Sequence, residues 1–248
     1  MESLSILQLV FCALVILIAF AVRGGTGFGG GAIAVPMLAL VFPLQVTVPV
    51  VTVLNILSSI GHGITDWRLI VWKEIRRVLP GSLIGVSIGM YFLTQIDPQP
   101  LGRALGIFVI IYGLYMMLFA GRTPAVPSRW MPAVAAVTSF AAGLIGALFG
   151  GAAGPLYVIY LNAARLTKDA FRATITTIML FQGLVRVVGY AAFGFYDAHA
   201  LTLLATALPL MLAGSGLGVR VIRRFEQALF NRAVGVVLLA SGAALAFK

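Results

Sequence analysis

Apolar residues recur along the chain in long, nearly uninterrupted runs: 4–22, 32–42, 45–64, 78–94, 101–120, 132–149, 155–164, 170–195, 200–219 and 228–247. A helix needs about 20 residues to cross the hydrocarbon core of a bilayer, and eight of these runs approach that length. Runs 32–42 and 155–164 fall short. A helix of about ten residues reaches only about 15 Å, so each is expected to turn back near the midplane. Strands of a membrane barrel would alternate apolar and polar residues over about ten positions, and no such pattern occurs. Run 4–22 lacks the basic flank of a cleaved signal and exceeds its usual apolar core, which makes it the first expected membrane segment. The expected fold class is an all-α integral membrane protein.

The runs are related to one another. Pro80, Gly85 and Gly89 recur 129 residues later as Pro209, Gly214 and Gly218. Arg103, Ala104, Gly106 and Gly113 recur at the same offset as Arg232, Ala233, Gly235 and Gly242. Upstream, Phe28-Gly29-Gly30-Gly31 with Pro36 parallels Phe149-Gly150-Gly151-Ala152 with Pro155, at an offset of 121. The chain therefore reads as two repeats, 1–122 and 123–248, each a glycine-broken helix hairpin followed by three transmembrane helices. Gly85, Gly89, Gly214 and Gly218 fit the small-residue pattern that lets membrane helices approach closely.

Charge orients the repeats. Lys and Arg mark the cytoplasmic loops of membrane proteins. Segment 65–77 carries Arg68, Lys73, Arg76 and Arg77, while its counterpart at 195–199 carries Asp197 and His199. Segment 95–100 has Asp97, while 220–231 has Arg220, Arg223 and Arg224. Equivalent loops have opposite character, so the two repeats are expected to be inverted in the membrane, a plan shared by many secondary transporters. The net charge of +10 then reflects these loops, and nucleic acid is not an expected partner. Only 10% of residues are charged and 61% are hydrophobic, against about 25% charged in soluble domains.

The glycine-rich breaks at 24–31 and 150–154 are costly at membrane depth unless buried in protein or lining a wet cavity. Each precedes a short apolar segment, so each offers free N–H groups at a helix N-terminus, which favours an anion. Gly27, Gly29, Gly30, Gly31, Gly150, Gly151 and Ala152 are the expected substrate-binding backbone. Gly25 to Gly30 also satisfies G-x-G-x-x-G, but no strand precedes it and no acid follows until Asp66. A dinucleotide site needs both.

Polar residues within the apolar runs supply side-chain candidates. Thr52, Asn55, Ser59 and His62 share a helical face, and Thr174, Gln182 and Arg186 recur at steps of four and eight. Ionisable groups inside a span are rare and functional by default. Arg186 either grips a planar anion or bonds to backbone carbonyls freed at a break. Arg23 borders the first break and either binds anion or anchors the helix end. His62 is either a proton relay for coupling or an interfacial histidine. The seven acids lie at or beyond the ends of the runs, a cation carrier's buried carboxylate is missing, and no metal, cofactor or nucleophile set is recognisable. A non-enzymatic carrier of a small anion is expected, with proton or sodium as a coupling ion; an anion channel and a membrane-embedded enzyme are the rivals.

The paired Phe-Gly-Gly stretches with their prolines, together with Val51-Thr52 and Ala173-Thr174-Ile175-Thr176, resemble the TauE/SafE sulfite exporter family across nearly the whole chain. The resemblance implies an inner-membrane exporter of sulfite or an organosulfonate such as sulfoacetate. It also implies that the glycine stretches and threonine-bearing helices form the substrate path. The second stretch reads Gly150-Gly151-Ala152 where the pattern has three glycines.

Overall fold

The structure is a computed structural model that describes residues 5–26, 29–63, 67–119, 126–150, 154–221 and 227–247. Its helices are α1 (Ile6–Thr26), α2 (Gly30–Leu38), α3 (Leu44–Gly63), α4 (Trp72–Gln95), α5 (Pro98–Phe119), α6 (Met131–Phe149), α7 (Gly154–Ala163), α8 (Lys168–Ala192), α9 (Ala198–Val221) and α10 (Gln227–Ala246). Each expected run becomes one helix. Among the described residues, five helices are long and apolar enough to cross a membrane. The two short runs become α2, with 9 residues, and α7, with 10. Among the described residues there is no strand.

Local chemistry sets the helix ends. Gly29 starts α2 from a left-handed backbone (φ 91°), and Gly150 ends α6 at φ 66°, a conformation that glycine alone adopts without strain. Thr167 caps α8 by accepting from the Ala170 N–H. Asp197 does the same for α9 by accepting from the Ala200 N–H at 2.8 Å, as short polar side chains do at helix starts.

The helices pack in matched pairs: α1 on α9, α4 on α6, α5 on α10 and α3 on α8. Glycine sets the close approaches. A Cβ on Gly85 would strike the Phe140 carbonyl, and one on Gly89 would strike that of Leu144. In the other half, Gly214 meets the Leu17 carbonyl and Gly218 that of Ala21. Both pairs therefore run parallel. The α5–α10 pair runs antiparallel, with Gly106 beside Gly242 and Gly113 beside Gly235. Side chains such as Ile84, Ile111, Val137, Val188 and Leu212 remain exposed on the outside of the bundle, where lipid is as good a solvent for them as protein.

One boundary differs from the sequence expectation. Helix α4 starts at Trp72, ahead of the apolar run 78–94, so Lys73, Glu74, Arg76 and Arg77 belong to its first turns and not to a loop. Glu74, expected outside the span, is 6% exposed. An acid in a first turn is favoured by the helix dipole, which explains how polar residues there extend the helix. Trp67 and Trp130 are exposed, and the guanidinium groups of Arg68 and Arg129 lie over their rings at 5.5 and 6.0 Å. Amphipathic rings of this kind settle at membrane–water interfaces.

Candidate functional site

Helices α1, α3, α6 and α8 meet around a cavity of about 20 Å³, enough for a water or two. Arg23, Thr52, Asn55, Gly150, Gln182 and Arg186 line it. Arg23 and Arg186 are each 5% exposed and are close enough to repel one another. Neither meets a carboxylate; among the described residues the one ion pair is Arg77 with Glu74.

The two guanidinium groups are held by oxygen acceptors. One Nη of Arg23 donates to the Asn55 carbonyl at 3.1 Å and to the Ser59 hydroxyl. Ser59 in turn donates to the Asn55 carbonyl at 2.8 Å. One Nη of Arg186 donates to the carbonyls of Gly146 and Gly150, the latter at 3.0 Å. Arg186 thus satisfies acceptors freed where α6 ends, one of the two roles read for it from sequence. Among the described residues its Nε has no partner, nor does either of the Asn55 amide atoms, and all three are buried. Buried polar groups are rarely left unpaired, and here they surround the cavity that holds both positive charges.

Further side chains brace this set. Gln182 donates to the Tyr157 hydroxyl, and the Tyr190 hydroxyl donates to the Ala147 carbonyl at 2.7 Å. Tyr196, between α8 and α9, donates to the Pro49 carbonyl at 3.4 Å. Burial pushes its hydroxyl up to about 12, and the nearby Arg186 charge offsets this only in part.

The sequence candidates divide. Thr52, Asn55, Gly150, Gln182, Arg186 and Arg23 line the cavity, and Ser59 touches it through Arg23. Gly29 begins α2, Gly30 packs on the Arg23 side chain, and Gly31 is buried. Gly150 packs on Val35 of α2 and Val48 of α3. The described parts of both breaks therefore lie inside the bundle. No described residue of α2 lines the cavity, however; α2 reaches it through Arg23. Thr174 also lies elsewhere, its hydroxyl accepting from the Val71 N–H at the start of α4 at 3.0 Å. Gly27, Gly151, Ala152 and the His62 side chain lie outside the described residues.

Ile56, Met179 and Gly183 complete the lining and were not expected. Apolar and small residues look alike in a membrane sequence whether they face a cavity or a neighbouring helix. Tyr157 was also missed, although an aromatic hydroxyl in an apolar helix needs a partner.

The family model described as Sulfite exporter TauE/SafE matches residues 12–245. Among curated proteins, the chain is similar to one named "Probable inner membrane transporter protein TsaS" from Comamonas testosteroni. The two are 29% identical over 200 residues, which cover 79% of this chain and 80% of that protein. No solved structure matches.

Proposed function

The chain belongs to the sulfite exporter TauE/SafE family of membrane transporters, and from that premise we propose that it exports a small sulfur-containing anion, sulfite or an organosulfonate such as sulfoacetate, across a bacterial-type inner membrane. One observation carries the choice of an anion: two buried guanidinium groups face one cavity with no carboxylate between them among the described residues. Uncompensated buried charge is strongly unfavourable, so the arrangement favours a ligand that brings the missing negative charge. The Arg186 Nε and the Asn55 amide, without a partner among the described residues, are the groups for such a ligand to engage. The relative's name, an inner membrane transporter, supports the location.

Transport proceeds by alternating access between two inverted repeats, 1–122 and 123–248. The α5–α10 contact supports the inversion. These helices carry the same glycine motif, yet they pack antiparallel with Gly106 on Gly242 and Gly113 on Gly235. A two-fold axis relating antiparallel neighbours crosses them at right angles, so for helices that span it lies in the membrane plane. Parallel pairing of α1 with α9 and of α4 with α6 agrees with the same axis. A cavity of about 20 Å³ is small for a sulfonate head, so the site opens when substrate enters.

A thermal-shift screen of the purified protein against sulfite, sulfoacetate, sulfate, thiosulfate and matched carboxylates tests the substrate class. A ligand at 100 times its Kd stabilises the native state by about 2.7 kcal/mol. Sulfite or sulfoacetate should raise Tm above the carboxylates. Stabilisation by none of the anions would overturn the assignment.

A further inference from the structure

Glu74 is a buried carboxylate that anion binding does not use. It lies in the first turn of α4, inside a candidate span, and is 6% exposed. Two groups hold it: Arg77 on its own helix, at 3.0 Å, and the Tyr160 hydroxyl of α7. Arg77 keeps 34% of its side-chain surface exposed, so the carboxylate stands one side chain from water. Tyr160 is fully buried.

Helix α7 joins this carboxylate to the anion cavity. Tyr157, one turn before Tyr160, accepts from Gln182, which lines the cavity. The two tyrosines thus tie one ten-residue helix to α4 at Glu74 and to the site at Gln182.

We propose that Glu74 is the proton-coupling site of the transporter and that α7 passes its protonation state to the anion cavity. A proton arriving from water beside Arg77 adds to the Glu74 carboxylate. The Arg77 ion pair and the charge-assisted bond from Tyr160 are lost together. A hydrogen bond to a charged group is stronger than one to its neutral form, so protonation loosens α7 from α4. Loosening α7 shifts Tyr157 and releases Gln182. Deprotonation restores the grip. Among the described residues, Arg77 is the one charged group paired with Glu74. Helix α6, packed on α4, carries no titratable side chain, and α8 carries Lys168, Asp169 and Arg172 in its first turns. Among the described residues, no ion pair joins these to Glu74.

The inference rests on the transport reading, and one assay in proteoliposomes separates the two. Radiolabelled sulfoacetate serves as the probe, because its charges do not titrate near neutral pH. Counterflow at equal pH measures the carrier alone; accumulation under an imposed pH difference measures coupling. One proton per cycle changes the wild-type accumulation ratio about tenfold for each pH unit. Glu74→Gln should retain counterflow and lose the response to the gradient. Tyr160→Phe keeps the carboxylate but removes the bond that ties α7 to it, so it too should retain counterflow and lose the response to the gradient. A wild-type ratio indifferent to the gradient, or a Glu74→Gln protein that still follows it, overturns the coupling role while leaving transport intact. Absence of wild-type counterflow with sulfoacetate and with sulfite overturns both.

Discussion

Arg23 of α1 and Arg186 of α8 enter one cavity from different halves of the chain, and neither is paired with a carboxylate among the described residues. Each is instead held by oxygens of other helices: Arg23 by the Asn55 carbonyl and Ser59 hydroxyl, Arg186 by the carbonyls of Gly146 and Gly150. The positive charges are fixed in place before any anion arrives, so little is lost in ordering them on binding.

Arg23→Gln should keep a donor near Ser59 while removing one charge. Charge-assisted hydrogen bonds contribute about 1.5–3 kcal/mol, so affinity for sulfite or sulfoacetate should fall by roughly ten- to a hundredfold. Isothermal titration of the detergent-solubilised protein checks this. An unchanged Kd removes Arg23 from the site.

Arg186 has a structural role as well, and its replacement separates the two. Arg186→Ala strands the Gly146 and Gly150 carbonyls, at a cost of about 1–3 kcal/mol. Its Tm should fall even without any anion. Arg23→Gln should lower the anion-dependent rise in Tm far more than the starting value.

The glycine contacts predict a contrast that is independent of function. Gly218→Ala would push a Cβ onto the Ala21 carbonyl, and overpacking of this kind costs about 1–3 kcal/mol. Gly102 in α5 has open space around it, with nothing within 4 Å of an added methyl. Gly102→Ala should therefore stabilise the protein by up to about 1 kcal/mol through helix propensity. Thermal unfolding of the two variants should give shifts of opposite sign.

Tyr196 predicts a response at high pH. Its hydroxyl is raised from 10.0 to about 12 in the folded protein, so the unfolded chain ionises first. The stability it contributes is complete below about pH 10 and is lost as pH rises toward 12. Tyr196→Phe should flatten the decline of Tm across that window relative to wild type.

The sequence revealed the helices because membrane hydropathy leaves few alternatives: run 155–164 is α7 (Gly154–Ala163) to within a residue. It also revealed Asn55, Gln182 and Arg186, since polar side chains stand out in apolar segments. Periodicity gives a residue's face on its own helix but not the neighbour that face meets, so it groups Thr174 with the site although the Thr174 hydroxyl accepts from the Val71 N–H just ahead of α4. Glu74 was hidden for a different reason. Charged residues in the first turns of α4 look like a loop until tertiary contacts with Tyr160 bury one of them.

The most direct test of paired guanidinium groups as the anion site is counterflow of radiolabelled sulfite and sulfoacetate into proteoliposomes. Wild type, Arg23→Gln and Arg186→Gln are compared at equal reconstituted amounts and matched folding. Saturable wild-type counterflow of either anion, reduced at least about tenfold in each variant as loss of one charged hydrogen bond requires, is the expected result. Undiminished counterflow in both variants would contradict the account.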